Sequence, residues 1–179
     1  YKVGIIGATG MVGQRFITLL AEHPWFKISA LAASASSAGK SYEHALAGRW
    51  VMSTPIPEEV KNMPVFDAST DAEKVAAVVD FVFCAINLDK MSTRALEEKY
   101  AVLECPVISC NSACRGISDV PMIIPEVNPE HAEVIAAQRK RLGTKRGFIA
   151  VKSNCSIQSY VPALHPLCKF GLTKVLVCT

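Results

Sequence analysis

The sequence predicts an α/β fold built on a doubly wound, mostly parallel sheet. One observation behind this prediction is that short apolar runs alternate with longer amphipathic runs along the chain, which is typical of a parallel sheet covered by helices. A second is a glycine-rich turn between the first strand and the first helix. Together they indicate a Rossmann-like domain, and 179 residues are enough to bury its core.

The predicted elements follow one another in a regular order. The predicted strands are apolar runs bounded by glycine, proline or polar residues: YKVGIIG, KISALAA, DFVFCAI, PVISC and GFIAVKS. The predicted helices cover residues 11–22, 88–103, 129–142 and 155–170. The final run, LTKVLVCT, predicts one more strand.

Two of the helices carry further signals. In the first, the predicted sheet-facing stripe consists of apolar residues at helical spacing: Val12, Phe16, Leu19 and Leu20. In the third, Asn128 is the expected N-cap and Gly143 the expected residue just after the C-terminus.

The composition disfavours several classes of protein. No apolar run is long enough for a membrane span and no signal-peptide pattern is visible, so we expect a cytoplasmic protein without a membrane partner. The net charge is only +3 with scattered basic residues, which disfavours nucleic acid as a partner. Seven cysteines, an odd number, indicate reduced thiols. Cys105, Cys110 and Cys114 lack a C-x-x-C pair and a nearby histidine, so no metal site is expected.

The glycine-rich turn predicts a dinucleotide site. In GIIGATGMVGQRF three glycines are spaced G-x-x-G-x-x-G between strand and helix. Glycine permits a tight turn and close backbone approach, and the helix N-terminus offers free N–H groups to a pyrophosphate. The expected cofactor contacts are Gly7, Thr9, Gly10, Met11, Val12 and Gly13, with Asn87 added after the strand DFVFCAI. The alternative is a helix-packing turn without a ligand.

The end of the second strand favours NADP over NAD. NAD-binding folds carry an acidic residue there for the ribose 2′-hydroxyl, whereas this chain has AASASSAGK. With no carboxylate to repel a 2′-phosphate, we expect hydrogen-bond donors for it from Ser34, Ser36, Ser37 and Lys40. The alternative is a serine loop that contacts nothing.

Four segments resemble the aspartate-β-semialdehyde dehydrogenase family, and its fungal and archaeal branch more than its Gram-negative one. They are GATGMVGQRF, SSAGKSY, DVPMIIPEVNPEH and SNCSIQSYVPALHPL. The resemblance implies an NADP-dependent enzyme that reduces aspartyl-β-phosphate to aspartate semialdehyde through a cysteine thioester. It also implies a homo-oligomer when the chain is complete. The related N-acetyl-γ-glutamyl-phosphate reductases place their cysteine in a Gly-Cys-Tyr-Pro-like context, which is absent here.

The resemblance assigns the nucleophile to Cys155, with Asn154 beside it in the catalytic site. This position suits the chemistry, because Cys155 follows a predicted strand and opens a predicted helix, whose N–H groups and dipole stabilise a thiolate and an oxyanion. The alternative is a buried cysteine. His165 is ten residues further along the same helix, roughly 15 Å away, and is too distant to act as the base.

The resemblance also implies the organisation of the chain and its phosphate contacts. We expect an NADP-binding domain over residues 1–154 and the truncated start of a catalytic and dimerisation domain over residues 155–179, with the base lying beyond this chain. Arg115 and Asn111 are the expected substrate-phosphate residues, although CNSAC departs from the family's Asn-Ala-Lys-Asn-like run. A surface arginine is the alternative for Arg115. At Ser36 many relatives have an arginine.

Two other functions are compatible with the sequence. One is a related acyl-thioester reductase such as the malonyl-CoA reductases. The other is a nucleotide-binding module without chemistry of its own.

Overall fold

Seven parallel strands form a single sheet in the computed structural model, which describes residues 1–178. They are β1 Lys2–Ile6, β2 Lys27–Ala33, β3 Val65–Asp67, β4 Phe81–Cys84, β5 Val107–Ser109, β6 Met122–Ile123 and β7 Ile149–Lys152. Their order is β3-β2-β1-β4-β5-β7-β6. The chain winds outwards in opposite directions from β1 and β4, so their junction is a topological switch point. The Rossmann-like fold class is confirmed.

Helices cover both faces of the sheet. The α-helices are α1 Met11–Leu20, α2 Tyr42–Leu46, α3 Glu58–Lys61, α4 Ala72–Val78, α5 Lys90–Val102, α6 Ile135–Leu142 and α7 Cys155–Leu164, and 3₁₀ turns cover Pro129–Val134 and His165–Phe170. One apolar core lies under α1 to α3 and the other under α4 and α5. Alternate residues of β1 enter opposite cores, with Ile5 in the first and Ile6 in the second. None of the helices in residues 1–178 is long and apolar enough to cross a membrane.

The buried face of α1 differs from the predicted stripe. Val12 and Leu19 are exposed, whereas Gly13, Gln14, Ile17 and Leu20 are buried. The reason is the contact between Gly13 and the preceding turn, where a Cβ on Gly13 would lie only 2.2 Å from the carbonyl oxygen of Gly7. Because Gly13 has no side chain, the face of α1 that carries it packs against the turn and the sheet.

The predicted helix over 129–142 is divided in two, and Asn128 does not cap it. Its side chain instead accepts from the N–H of Ile124 at 2.9 Å and donates to the carbonyl of Met122 at 3.0 Å. These bonds close the loop after β6, and the chain then makes a 3₁₀ turn before α6 begins. Gly143 ends α6 with φ +72°, as predicted.

The C-terminal segment departs from the prediction. Residues 171–178 form neither helix nor strand, and Thr179 lies outside the described residues. A strand needs a neighbour for its backbone groups, and this segment pairs with none of the seven strands. Neither α7 nor the following 3₁₀ turn buries a residue. The division at residues 154 and 155 stays a prediction.

Candidate active site

The predicted site residues lie along one edge of the sheet. Four central strands reach the same level there, because Ile6, Cys84, Ser109 and Val151 are register partners in β1, β4, β5 and β7. The loops after these strands carry the glycine turn, Asn87, Asn111 with Arg115, and Asn154 with Cys155. The carboxyl edge at a switch point is where doubly wound sheets bind ligands.

The glycine turn requires glycine at two positions. Gly7 has φ +87°, and a Cβ there would lie 2.6 Å from the carbonyl oxygen of Ala85. A Cβ on Gly13 would meet the backbone of Gly7 and Ala8. Gly10 is different, because its Cβ would have only the Gly7 oxygen nearby, at 3.4 Å. Packing within the protein therefore does not exclude a side chain at position 10, whereas a ligand bound close to the turn would.

Several backbone N–H groups of the turn have no acceptor in the described part of the chain. The N–H of Gly10 donates to the carbonyl of Gly7 at 3.0 Å and that of Gln14 to Gly10 at 2.9 Å. The N–H groups without a protein acceptor are those of Thr9, Met11, Val12 and Gly13. Three of them belong to the first turn of α1, where Met11 and Val12 are exposed. This arrangement suits an anionic pyrophosphate.

Two buried side chains that sequence reasoning missed hold this turn from beneath. The hydroxyl of Tyr42 donates to the carbonyl of Ala8 at 2.8 Å, and burial raises the pKa of this phenol. The amide of Gln14 donates to Thr9 at 3.0 Å and to Arg49 at 2.9 Å, both at backbone oxygens. A polar residue within the apolar part of α1 was the available signal for Gln14.

The serine loop presents hydroxyl groups and a lysine. Ser34 and Ser36 are exposed, and their hydroxyls are 3.0 Å apart. The Lys40 ammonium donates to the backbone oxygen of Ser36 at 2.7 Å. Ser37 is instead buried, with its backbone N–H bonded to Ser34 at 2.9 Å, so it supports the loop from inside. Asn87 is exposed after β4.

Cys155 is exposed and is the first residue of α7. Asn154 caps the helix, since its Oδ1 accepts from the backbone N–H of Ser156 at 2.9 Å and from its hydroxyl at 2.8 Å. The Cys155 Sγ lies 3.8 Å from the same oxygen. The alternative of a buried cysteine does not describe this residue. No histidine in residues 1–178 makes a hydrogen bond to Cys155.

Four other thiols lie inside the domain or partly so. They are Cys84, Cys105, Cys110 and Cys114. Burial raises the pKa of each, to about 12 for Cys105. These thiols are therefore protonated near neutral pH and are poor nucleophiles. Within residues 1–178 no group of three or more metal-binding side chains is found.

Arg115 connects the loop after β5 to the loop that carries the nucleophile. Its Nε donates to the carbonyl of Lys152 at 3.1 Å, and its Nη2 lies 3.3 Å from the carbonyls of Cys110 and Ser153. Two of the three guanidinium nitrogens are thus occupied by backbone, and Nη1 has no hydrogen bond to the described residues. Arg115 therefore lies beside the residues that lead into α7, and its hydrogen bonds to them are made with backbone carbonyl groups.

Asn111 lies at the same edge with its amide turned inwards. The Nδ2 group donates to Glu97 Oε1 at 3.0 Å and to Cys84 Sγ at 3.4 Å. Glu97 is a buried acid on α5 that sequence reasoning did not single out.

Comparison with known proteins identifies the family of this chain. Residues 2–135 match the family described as semialdehyde dehydrogenase, NAD binding domain, and the chain belongs to that family. The matching curated relatives are aspartate-semialdehyde dehydrogenases. The protein of Archaeoglobus fulgidus is 43% identical over all of this chain, which covers 50% of that protein. The protein of Cryptococcus neoformans is 41% identical over 99% of this chain, which covers 48% of that protein.

Solved structures place the chain in the same group. The aspartate semialdehyde dehydrogenase of Candida albicans with NADP is 38% identical, with a TM-score of 0.80 over 94% of this chain and 47% of that one. Aspartate semialdehyde dehydrogenase II of Vibrio cholerae, complexed with ASA, is 27% identical with a TM-score of 0.65 over 94% of this chain and 47% of that one. The chain spans about half the length of the relatives it matches.

Proposed function

We propose that this chain is the cofactor-binding part of an NADP-dependent aspartate-semialdehyde dehydrogenase in which Cys155 is the nucleophile. One observation carries the proposal: an exposed thiol at the start of α7 lies on the same sheet edge as a glycine turn with free N–H groups. The family supplies the reaction class, and the relatives' names supply the substrate.

The residues present fit NADP. The unpartnered N–H groups of Thr9, Met11, Val12 and Gly13 would hold the pyrophosphate. The exposed hydroxyls of Ser34 and Ser36 and the ammonium of Lys40 would hold the 2′-phosphate. The Candida relative was solved with NADP, which supports the same cofactor here. Bound NADPH would supply the hydride that reduces the acyl group.

Cys155 would attack the carbonyl carbon of aspartyl-β-phosphate as a thiolate. A carbon–sulfur bond forms, the bond from that carbon to the phosphate oxygen breaks, and inorganic phosphate leaves with the bonding electron pair. The backbone N–H groups of Cys155 and Ile157 and the Nδ2 group of Asn154 have no acceptor in residues 1–178, and they would stabilise the negative charge that develops on the carbonyl oxygen. Reduction of the thioester would allow the carbon–sulfur bond to break, which would release aspartate semialdehyde and return Cys155 to its thiolate.

Other parts of the proposal concern the whole protein. The base that removes the Cys155 proton would come from residues outside this chain, because no histidine in residues 1–178 makes a hydrogen bond to the thiol and the chain covers half of the Archaeoglobus relative. Residues 1–154 would form the cofactor domain and 155–179 the start of the catalytic and dimerisation domain, since the sheet ends at Lys152 and α7 buries nothing. Arg115 would contact the phosphate through its free Nη1. A homo-oligomer working in the cytoplasm stays part of the proposal, and the seven free thiols support that compartment.

The test uses the complete gene product. Cys155→Ser should abolish NADPH-dependent formation of aspartate semialdehyde while the dissociation constant for NADPH stays within about twofold, because serine is a far weaker nucleophile at neutral pH. Cys168→Ser is the matched control, since Cys168 is also exposed but lies beyond α7. Turnover by the Cys155→Ser enzyme at the rate of the wild type would refute the role of the thiol.

A further inference from the structure

Glu97 is a buried acid without a cationic partner. It is only 1% exposed, and no lysine, arginine or histidine in residues 1–178 forms an ion pair with it. The next residue, Glu98, is paired with Arg94 and Arg141 near the surface. Burying a carboxyl group without a counter-charge is costly. Its presence therefore requires an explanation other than fold stability.

Only one of the two oxygens of Glu97 accepts from an O–H or N–H group in residues 1–178. Oε1 accepts from the hydroxyl of Ser109 and from Nδ2 of Asn111. Oε2 is buried and has no hydrogen-bond partner in the described part of the chain. The thiols of Cys84 and Cys114 lie nearby; burial, and then this carboxyl group, raise their pKa, so they remain S–H groups. Such incomplete satisfaction is uncommon for a buried group and concentrates at functional sites.

Glu97 decides which end of the Asn111 amide faces the ligand edge. Oε1 of Glu97 acts as an acceptor, so the NH₂ group of Asn111 turns towards it, and the second hydrogen points to Cys84. The backbone N–H of Asn111 is also occupied, by the Ser109 hydroxyl at 3.0 Å. The remaining group is Oδ1, which has no partner and is not among the buried unsatisfied atoms. Asn111 therefore offers an acceptor.

We infer that Glu97 is a positioning residue that makes Asn111 an acceptor for an N–H donor of the bound ligands. The inference rests on the proposed function and replaces the phosphate contact expected of Asn111, because a carbonyl oxygen repels phosphate. Ser109 is in register with Cys84 on one side and with Val151 on the other. Asn111 thus lies between the cofactor loops and the strand leading to Cys155. The ligands of the proposed function carry two N–H donors that Asn111 could accept from: the carboxamide of the nicotinamide and the ammonium of the aspartyl substrate.

The test compares Glu97→Met, which removes the acceptor at similar volume, with Glu97→Gln, which keeps Oε1. Each is made in the complete enzyme, alone and with Asn111→Leu, and Glu98→Gln is the control on the same helix. The measurements are the NADPH dissociation constant, and the KM for aspartate semialdehyde and for inorganic phosphate in the oxidative direction.

Glu97→Met should weaken one N–H donor ligand by about two- to tenfold, the range of one lost neutral hydrogen bond, and leave the phosphate KM unchanged. A higher NADPH dissociation constant identifies the carboxamide, and a higher KM for the semialdehyde alone identifies the ammonium. Glu97→Gln and Glu98→Gln should stay within about twofold of the wild type. Asn111→Leu should reproduce the loss, and adding Glu97→Met to it should change nothing further.

Several outcomes would overturn the inference. They are a change confined to the phosphate KM, additive effects of Glu97→Met and Asn111→Leu, and an Asn111→Leu enzyme that binds both ligands normally. The last measurement does not depend on whether Glu97→Met folds. A wild-type protein without semialdehyde dehydrogenase activity would instead refute the proposed function. The NADPH dissociation constants of the variants would still test the role of Asn111.

Discussion

Gly10 and Gly13 allow the ligand role of the glycine turn to be separated from its packing role. A Cβ on Gly13 would lie 2.2 Å from the Gly7 carbonyl oxygen. An ordinary contact needs at least 3.4 Å, so the turn would have to move by about 1.2 Å. Overpacking of this kind costs about 1–3 kcal/mol, and replacing a helical glycine returns about 1 kcal/mol. We expect Gly13→Ala to lower the free energy of unfolding by up to about 2 kcal/mol.

Gly10→Ala should have the opposite effects, with little change in the free energy of unfolding and weaker binding of NADPH. Its Cβ would meet only the Gly7 oxygen, at 3.4 Å, and its φ of −78° suits alanine. The cost is that of a poorer N-cap, at most about 1 kcal/mol. The new methyl group would nevertheless stand where the backbone approaches the pyrophosphate. We expect Gly10→Ala to weaken NADPH binding at least tenfold, about 1.4 kcal/mol.

Urea unfolding and fluorescence titration with NADPH measure the two quantities on the same samples. Gly10→Ala binding NADPH as tightly as the wild type would mean that the ligand does not approach this turn, and the helix-packing alternative would stand. A Gly13→Ala protein that is more stable than the wild type would contradict the close contact between the helix and the turn.

Three further predictions concern the serine loop, the nucleophile loop and a surface carboxylate. Calorimetry should find tighter binding of NADP(H) than of NAD(H), and Lys40→Ala should reduce that difference, whereas equal affinities in the wild type would remove the role of the loop. Arg115→Lys should slow iodoacetamide labelling of Cys155 by up to about fivefold, because the compact ammonium of lysine cannot reproduce the spread donors of the guanidinium that reach three separate carbonyls, and the helix start loosens; Arg146→Lys, at the other end of the sheet, should not change it. Backbone N–H donors hold the pKa of Glu104 below its ordinary value of 4.5, so its carboxylate stabilises the fold above that pH and the contribution is lost as the pH falls through the lowered pKa. Glu104→Gln should therefore lower the melting temperature at pH 7, with a difference that narrows towards pH 3, and a constant difference would contradict this.

The parts of the fold that the sequence predicts are those with strong local signals. β1, β2, β4, β5 and β7 are apolar runs, and the turn before α1 carries three glycines. β3 was missed because it has only three residues at the sheet edge and two of them are only partly buried. The C-terminal run is apolar, as a strand should be, but strand formation depends on a neighbour, which no local pattern reports.

The residues of the candidate site likewise differ in whether a local sequence signal predicts them. Cys155 and its cap Asn154 follow from a polar run between a strand and a helix, and the glycine turn follows from its spacing. Gln14, Tyr42 and Glu97 do not, because each acts through a contact with a residue at least five positions away. Only the folded chain brings those partners together.

The contrast between local signals and long-range contacts also applies to CNSAC, the segment that departs from the family pattern. Substituting residues in a loop changes its chemistry only if the supporting contacts allow it. Here Arg115 still reaches the carbonyls on both sides of the site, and the interior acid still orients an amide on the loop. The donor groups of Asn111 are held inwards, so the altered loop carries a free amide oxygen and, at Arg115, a guanidinium with one free nitrogen. The acceptor and the cation are four positions apart in one short loop, and a ligand carrying both an N–H donor and an anionic group would satisfy both.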